Sequence, residues 1–387
     1  MPTKWDTVPN QILTLTALSG ELPATVYDRL NGGKEYKRKV IGALKKADLI
    51  ERHKCDSVAG YRLTNAGKEK LLAENEKRFG YYLIGSTDTN THRKDPSRRI
   101  RLHRNAEIYL FMLNAGVILY RDQKIPVYEY LRDLRPTAST DFTASAVPNT
   151  MSYQDIIVPA FYDSREIKDV EDLTQSIRGS RHIGTLYTDN TIFVVYNAEK
   201  TLMKWHSRTE GKASNLLYNT FRSKVTGFDA RNIRALIIGD TMDMALEMLN
   251  SKGGKRRRFF RIDESFNYFH FVPNDENGEM LMEILLDSEI WEATETLFLG
   301  DYKPMQFANY NAIDHDGNPI LFAYTFDMKQ IANFADWTFK NRRHGIIMCF
   351  DFQSEALKEY CNEYMHIETM SGKKFRTDFL NKLYDCD

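Results

Sequence analysis

The amino-acid sequence predicts an α+β protein, in which a small helical domain closed by a β-hairpin precedes a mixed α/β domain with a central sheet. The first 80 residues hold short amphipathic segments that lead into an alternating strand pattern and a helix start. Beyond about residue 180, apolar strands alternate with helical segments, as they do in sheets covered by helices. The charge divides in the same way. Residues 1–104 hold 21 Lys and Arg against 12 Asp and Glu, a net charge of +9, and residues 105–387 hold 32 against 41, a net charge of −9.

The first elements are a helix, a short apolar segment and a turn. Residues 8–18 predict a helix with its apolar side chains on one face, Ile12, Leu15 and Leu18. Residues 23–30 form a short segment that begins with proline, and residues 31–33, Asn-Gly-Gly, are a turn by composition.

Residues 34–47 predict an amphipathic helix, because apolar and basic side chains recur on opposite faces. The apolar face is expected to hold Tyr36, Val40, Leu44 and Ala47. The basic face holds Lys34, Arg38 and Lys45, with Lys39 and Lys46 beside them. A hairpin follows, with a strand at 49–53, a turn at 56–60 and a returning strand at 61–63.

The segment that runs from Tyr61 to Leu71 has the order Tyr-x-Leu-Thr-x-x-Gly-x-x-x-Leu. Tyr61 and Leu63 alternate as in a half-buried strand, Thr64 or Asn65 can cap the next helix, and Gly67 lies inside that helix. This order resembles the end of the winged-helix domain in many bacterial DNA-binding regulators. The resemblance covers residues 1–80 and implies three helices and a two-stranded wing, with the third helix in the major groove.

The winged-helix resemblance implies sequence-specific binding of double-stranded DNA. The side chains expected to contact DNA are Lys34, Lys37, Arg38 and Lys45 along the groove and Arg52, Lys54 and Arg62 in the wing. A basic N-terminal region agrees with this, because lysine and arginine that neutralise phosphates release condensed counterions. Two alternatives stay open: a winged helix that docks proteins, and a small helical domain with a solvated basic face.

Residues 81–118 are predicted to form a basic linker and a helix. Residues 93–104 are either an ordered helix start or a mobile loop, and their basic density suits phosphate contact. The sequence Arg-Arg-Ile-Arg-Leu-His-Arg at 98–104, with residues 106–117, resembles the segment after the winged helix in replication–relaxation proteins of plasmids and other mobile elements. It also resembles larger winged-helix proteins of abortive-infection antitoxin systems. These resemblances imply a role in replication, transfer or regulation of mobile DNA, and they carry over no catalytic residue.

Residues 119–387 are predicted to form the mixed α/β domain, for dimerisation, partner docking or a degenerate nuclease-like role. Asp240 and Asp351 each follow an apolar strand and precede a helix, at the edge of a sheet where ligands bind. They either hold a metal or cap those helices. Residues 210–212, Glu-Gly-Lys, have the form of a nuclease motif, and Asp189 precedes them on a predicted hairpin. That motif needs a strand, however, whereas a polar run precedes Glu210 and residues 210–221 predict a helix. The main hypothesis assigns no catalytic or metal-binding residue. The alternatives are a metal-dependent nuclease on this domain and an antitoxin-like transcriptional repressor.

A second basic cluster, residues 253–261, could contact DNA backbone or dock on an acidic protein surface. The four cysteines are scattered, and no P-loop, nucleophile-elbow or His-Glu-x-x-His motif occurs. With no apolar run of transmembrane length and no apolar signal core, the sequence predicts a cytoplasmic protein without a cofactor. Its expected partners are double-stranded DNA and either a second copy of itself or a cognate mobile-element protein, and no membrane.

Overall fold

The computed structural model describes residues 7–55, 57–90, 95–134, 150–168, 179–199, 202–251, 260–305 and 309–384. The chain divides into two units, Met1–Ile125 and Pro126–Asp387. Helices and sheets occur in both units, in agreement with the predicted α+β class. The segment expected to link the two domains, residues 81–118, belongs to the first unit. Within the described ranges, no helix is long and apolar enough to cross a membrane.

The first unit combines helices with one small antiparallel sheet. Its elements are α1 (Val8–Ser19), β1 (Leu22–Pro23), α2 (Lys34–Lys46), β2 (Ile50–Cys55), β3 (Val58–Leu63), α3 (Asn65–Glu74), α4 (Glu76–Leu83) and α5 (Pro96–Asn114), with 3-10 turns at Val26–Arg29, Gly85–Thr87 and Arg121–Gln123. The strand order is β1-β3-β2, so β2 lies at an edge of the sheet. Helix α1 packs against α2, α4 and α5. It buries Ile12, Leu15 and Leu18, as predicted.

Helix α2 begins at the predicted residue and ends within one residue of the predicted end, but it buries a different face. The buried side chains are Lys37, Val40, Ile41 and Leu44. Tyr36 is 50% exposed and Ala47 is exposed, so the prediction that both belong to the core is wrong. Successive helical residues turn by about 100°, so the centre of the observed face lies roughly half a residue step further round than that of the predicted one, and Val40 and Leu44 belong to both. The long stem of Lys37 makes this possible, because it can cover apolar surface while its amine finds a polar partner.

The turn between β3 and α3 explains the motif that runs from Tyr61 to Leu71. Thr64 is the N-cap of α3, and its hydroxyl accepts a hydrogen bond from the Gly67 amide at 3.0 Å. It also donates to the carbonyl of Asp48. A Cβ on Gly67 would lie 2.1 Å from the Leu49 carbonyl oxygen, so only glycine lets the helix approach the chain there. The predicted capping role of Thr64 is therefore confirmed.

The second unit holds two five-stranded sheets and one short parallel pair. Its strands are β4 (Met151–Ser152), β5 (Ala160–Asp163), β6 (Gly184–Tyr187), β7 (Ile192–Glu199), β8 (Val225–Thr226), β9 (Ile233–Gly239), β10 (Phe269–Pro273), β11 (Lys303–Pro304), β12 (Ala312–Ile313), β13 (Pro319–Phe322), β14 (Gly345–Phe350) and β15 (Met365–Met370). Its α-helices are α6 (Val127–Asp133), α7 (Ser164–Lys168), α8 (Ser207–Lys224), α9 (Met242–Leu249), α10 (Glu276–Leu286), α11 (Ser288–Leu299), α12 (Met328–Asn341), α13 (Ser354–Tyr360), α14 (Gly372–Phe375) and α15 (Asn381–Tyr384). Strands β4 and β8 form the short pair.

The two large sheets share one topology. The first has the order β10-β9-β7-β6-β5 and the second β11-β12-β13-β14-β15. In chain order, the first three strands of each sheet pair antiparallel, and the last two strands are added in parallel. The parallel strands are reached through helices, α8 and α9 in the first sheet and α12 and α13 in the second. The predicted hairpin that holds Asp189 is β6 and β7 of the first sheet, and Asp240 and Asp351 follow equivalent strands of the two sheets, β9 and β14.

Candidate nucleic-acid interface

The exposed side of α2 is densely basic. Its exposed basic side chains are Lys34, Arg38, Lys39, Lys45 and Lys46. At about 100° per residue, Lys34, Arg38 and Lys45 fall within roughly 40° of one another around the helix axis. Arg38 lies 3.7 Å from Glu35, but both side chains are at least three-quarters exposed, and such pairs contribute little. The stripe therefore presents its positive charge to solvent.

Strand β2, the next element in the sequence after α2, carries two further cations. Arg52 and Lys54 are exposed, and because successive side chains of a strand alternate, both project from the same face of the hairpin. Strand β2 is the edge of its sheet, so its outer side carries no further strand of the described chain. Five of the seven residues expected to contact DNA are thus exposed: Lys34, Arg38, Lys45, Arg52 and Lys54.

Lys37 does not belong to this exposed set. Its side chain is 5% exposed, and its Nζ donates a hydrogen bond to the Leu30 carbonyl at 2.8 Å. The lysine thereby satisfies a backbone acceptor that precedes the Asn-Gly-Gly turn. Its expected role in contacting DNA is corrected, because a phosphate would have to compete with this buried hydrogen bond.

Arg62 is also buried, at 3% exposure, and the expectation that it contacts the DNA backbone is corrected too. Its Nε donates to Glu21 Oε2 at 2.9 Å, and a second guanidinium nitrogen lies 2.8 Å from the same oxygen. Sequence alternation placed Arg62 on the face opposite Tyr61 and Leu63. It could not reveal that Glu21, which lies between α1 and β1, reaches that face.

Glu21 is the centre of a buried ionic cluster that also includes Arg62, Arg99 and His103. The Arg99 guanidinium lies 2.5 Å from Glu21 Oε1, and His103 Nε2 lies 2.9 Å from the same oxygen. Burial alone raises the pKa of Glu21, but hydrogen bonds from His103, Arg99 and Arg62 overcome this and lower the pKa to about 2. The carboxylate is therefore charged at neutral pH and holds two arginines in the interior.

Gly60 makes room for this ionic cluster. A Cβ at that position would lie 2.6 Å from Glu21 Oε1 and 2.7 Å from His103 Nε2. Four positions of the segment from residue 60 to residue 67 thus have separate physical roles. Gly60 admits the cluster, Arg62 joins it, Thr64 caps α3 and Gly67 admits the Leu49 carbonyl.

Sequence reasoning missed Arg99, which is 0% exposed although it lies in a strongly basic stretch. It also donates to the backbone carbonyls of His53 at 3.2 Å and Cys55 at 3.4 Å. These carbonyls belong to the end of β2, next to the turn of the hairpin. A signal was present, since Arg99 shares a helical face with Ala106, seven residues on, which is buried.

The structure does not give Glu210 and Lys212 the arrangement that the nuclease motif needs. Glu210 lies in the first turn of α8 and not on a strand, so the nuclease-motif interpretation is wrong. Residues two apart on a helix point about 200° from each other, and Lys212 is exposed while Glu210 is buried. Among the described residues, no group of three or more histidine, cysteine or acidic side chains is arranged to hold a metal ion.

The individual acids have structural partners. Glu210 accepts hydrogen bonds from Ser180 Oγ at 2.5 Å and Tyr196 Oη at 3.0 Å, and burial raises its pKa. Asp189 accepts from the amide of Ser288 at 3.0 Å, which fixes the start of α11 to the β6–β7 turn. Asp351 accepts from the amide of Gly372 at 3.1 Å, which ties the turn after β14 to the start of α14.

Two sequence hypotheses fall partly or wholly outside the described residues. The basic cluster at 253–261 lies mostly there, with only Phe260 and Arg261 described. Arg93 and Lys94, at the start of the basic stretch before α5, also lie outside them.

Compared with known proteins, the chain matches no protein-family model, and neither a curated protein nor a solved structure is significantly similar to it.

Proposed function

We propose that the first unit is a winged helix and that the protein binds double-stranded DNA through it. Helix α2 would lie in the major groove, and the β2–β3 hairpin would serve as the wing on the sugar-phosphate backbone. The observation that carries the proposal is the stripe of exposed cations on α2, Lys34, Arg38 and Lys45, on the helix that immediately precedes the hairpin.

The order of the elements supports the winged-helix assignment. Helix α1, strand β1, a 3-10 turn, helix α2 and a hairpin follow one another, and β1 pairs with β3 of the hairpin. In a helix-turn-helix variant of this kind, the second helix of the motif is the one that reads the groove. The short 3-10 turn at Val26–Arg29 would then be the first helix of the motif, and α2 the second.

The contact set is smaller than the sequence alone implied. Lys34, Arg38 and Lys45 would line the groove, and Arg52 and Lys54 would contact phosphates from the hairpin. Such contacts act mainly through counterion release, so binding must weaken as salt rises. The concentration of positive charge in residues 1–104, a net +9 in a chain that is neutral overall, agrees with this.

The biological setting rests on the resemblance of residues 98–117 to replication–relaxation proteins. On that basis we propose a role in replication, transfer or regulation of a plasmid or other mobile element. The second unit would then supply dimerisation or contact with a cognate protein. A dimer would bind two half-sites about one helical turn of DNA apart.

The test is fluorescence anisotropy of the full chain with a labelled random-sequence duplex, titrated with salt. The variant is Lys34→Ala/Arg38→Ala/Lys45→Ala. Each lost phosphate contact lowers the slope of log K against log salt by about 0.9, so we expect the slope to fall by about 2.7. All three side chains are exposed, so the fold should persist, as thermal unfolding monitored by circular dichroism would verify.

The matched control removes the same charge elsewhere. Lys77, Lys340 and Lys358 are exposed lysines on α4, α12 and α13, and their joint replacement by alanine should leave the slope unchanged. Equal effects of both triple variants would mean that α2 has no special role. Absence of any salt-dependent binding by the wild-type chain at low salt would overturn the proposed function itself.

A further inference from the structure

Strand β15 forms one edge of the second large sheet, and it is less covered than the other sheet edges. It is the last strand in the order β11-β12-β13-β14-β15, and all six of its residues are at least partly exposed. At the opposite edge, β11 has only two residues, and Pro304 has no N–H to donate. In the first sheet, the carbonyl of Phe326 accepts a hydrogen bond from edge strand β10, and all four residues of β5 are buried. Among the described residues, β15 is therefore the longest sheet edge that is open to another strand.

The hydrogen bonds to β14 show which backbone groups of β15 point outward. The Gly345 amide of β14 donates to the Tyr364 carbonyl, just before β15, at 2.9 Å. Both backbone groups of a strand residue point to the same side, and the side alternates from residue to residue, so the even-numbered residues of β15 face β14. The odd-numbered residues face away. For Ile367 and Thr369, neither the N–H nor the C=O has a hydrogen-bond partner within the described ranges.

The side chains of β15 also suit the addition of a strand. Ile367 lies on the same face as Ile347 of β14, which is 0% exposed, but Ile367 is only half-buried because no strand lies beyond it. His366 and Glu368 lie on the other face, and neither side chain forms a hydrogen bond or ion pair with a described residue. Lysine and proline often protect natural edge strands from pairing, and β15, Met-His-Ile-Glu-Thr-Met, contains neither.

We propose that β15 is a dimerisation edge, on which β15 of a second copy pairs antiparallel about a two-fold axis at Ile367. At the axis, Ile367 exchanges its N–H and C=O with Ile367 of the partner subunit, and the two side chains meet on one face. On the other face, His366 of each copy lies opposite Glu368 of the partner subunit. The two second sheets then form one continuous sheet, held by an interface in which both copies use the same surface.

A second copy is the occupant because β15 is complementary to itself in this register. An imidazole can donate an N–H to the carboxylate opposite it, and opposite charges across a strand pair are favourable. An axis at Glu368 would place the two Glu368 carboxylates directly opposite each other, which is destabilising. An axis at His366 would leave Thr369 beyond the paired residues. The inference deepens the proposed function and rests on it for the role of the second unit, dimerisation.

The first experiment measures the mass of the DNA-free full-length chain by size-exclusion chromatography with light scattering, over a series of concentrations. The mass of the wild-type chain should approach twice the chain mass of 45.1 kDa as the concentration rises. Ile367→Lys places a charged side chain at the axis, and it should raise the dissociation constant of the dimer by about tenfold or more. The matched control is Ile157→Lys, at an isoleucine that is 46% exposed and lies outside the strands, and it should leave the constant unchanged.

The second experiment tests the register. His366→Glu places two carboxylates opposite each other on both sides of the axis, so the dissociation constant should rise by about tenfold, which corresponds to about 1.4 kcal/mol over the two pairs. The double variant His366→Glu/Glu368→His exchanges the two side chains and restores each pair. Its dissociation constant should return to within about threefold of the wild-type value. Both positions lie at the edge of the sheet, and thermal unfolding would verify that each variant is folded.

The outcomes distinguish this inference from the proposed DNA binding. A wild-type chain that stays monomeric overturns the inference, as does an Ile367→Lys variant that dimerises like the wild type. If the double exchange does not restore the dimer, the register and with it the proposal are wrong. A monomeric chain that still binds duplex DNA in a salt-dependent way would leave the DNA binding intact and remove only this interface. A dimer that binds no DNA would do the reverse.

Discussion

Replacing Glu21 by glutamine keeps the shape of the side chain but removes the charge that Arg62 and Arg99 share. The side chains of Glu21 and Arg99 are 0% exposed and that of Arg62 is 4% exposed, so water cannot compensate for the loss. Removing one partner of a buried ion pair costs about 3–5 kcal/mol. The pKa leads to a similar figure, since a shift from 4.5 to about 2 corresponds to about 3 kcal/mol of unfolding free energy at neutral pH.

The pH dependence has a definite sign. The pKa of Glu21 is lower in the folded protein than its ordinary value of 4.5. Its contribution to stability is therefore complete above pH 4.5 and is lost as the pH falls toward 2. The first unit of the wild-type protein should lose stability across that window, and the Glu21→Gln variant should lose about 3 kcal/mol less over the same range.

The assay is urea unfolding, monitored by amide hydrogen exchange in peptides from α1, the hairpin and α5. At a slope of about 2 kcal/mol per molar urea, a loss of 3 kcal/mol moves the midpoint of the first unit down by about 1.5 M. Peptides from the second unit are the internal reference. Glu69→Gln, at an exposed glutamate of α3, should stay within about 0.5 kcal/mol of the wild type. A midpoint shift below about 0.5 M for Glu21→Gln would refute the reasoning.

Two further predictions concern one glycine pair and one buried acid. Gly67→Ala should destabilise the first unit by more than 1 kcal/mol, because the new Cβ would lie 2.1 Å from the Leu49 carbonyl oxygen, whereas Gly42→Ala, with no atom within 4 Å, should stabilise it by about 0.5–1 kcal/mol. The urea midpoints of the two variants test both predictions. A change of stability with the same sign in both variants would contradict the packing argument. For Glu210, burial raises the pKa in the folded state, so its charge opposes folding increasingly as the pH rises above 4.5. Glu210→Gln should make the second unit less sensitive to pH in that range, and an unchanged pH profile would contradict this.

Local patterns in the sequence predicted most elements of the first unit. Helix α2 and the hairpin were predictable because amphipathic period and strand alternation depend on neighbouring residues. The cap at Thr64 was predictable for the same reason. The rotation of α2 was not, because periodicity alone does not decide whether Tyr36 or the stem of Lys37 covers the core. That choice depended on a hydrogen bond to Leu30, which lies outside the helix.

The ionic cluster was beyond local reasoning. Glu21 and Arg99 are separated by 78 positions in the sequence, and each is unremarkable in its own segment. Local reasoning did suffice for Glu210, because the pattern of residues 210–221 predicted a helix, on which the Glu-x-Lys spacing separates the two side chains. Charge counts indicated residues 1–104 as the region of the proposed interface. They could not distinguish the exposed Arg52 from the buried Arg62.

The shared topology of the two large sheets has a consequence for folding. In each sheet a short connection joins one antiparallel pair, β6 with β7 and β12 with β13, and these strands can pair early, while the parallel strands must wait for their helices. Two partly formed sheets with the same strand order create a risk of misfolding. A parallel strand that belongs to one sheet can pair with the equivalent strand of the other. During synthesis from the N-terminus, the sheet from β5 to β10 leaves the ribosome before the strands of the second sheet exist. The order of translation thus protects the chain from an error that its own architecture invites.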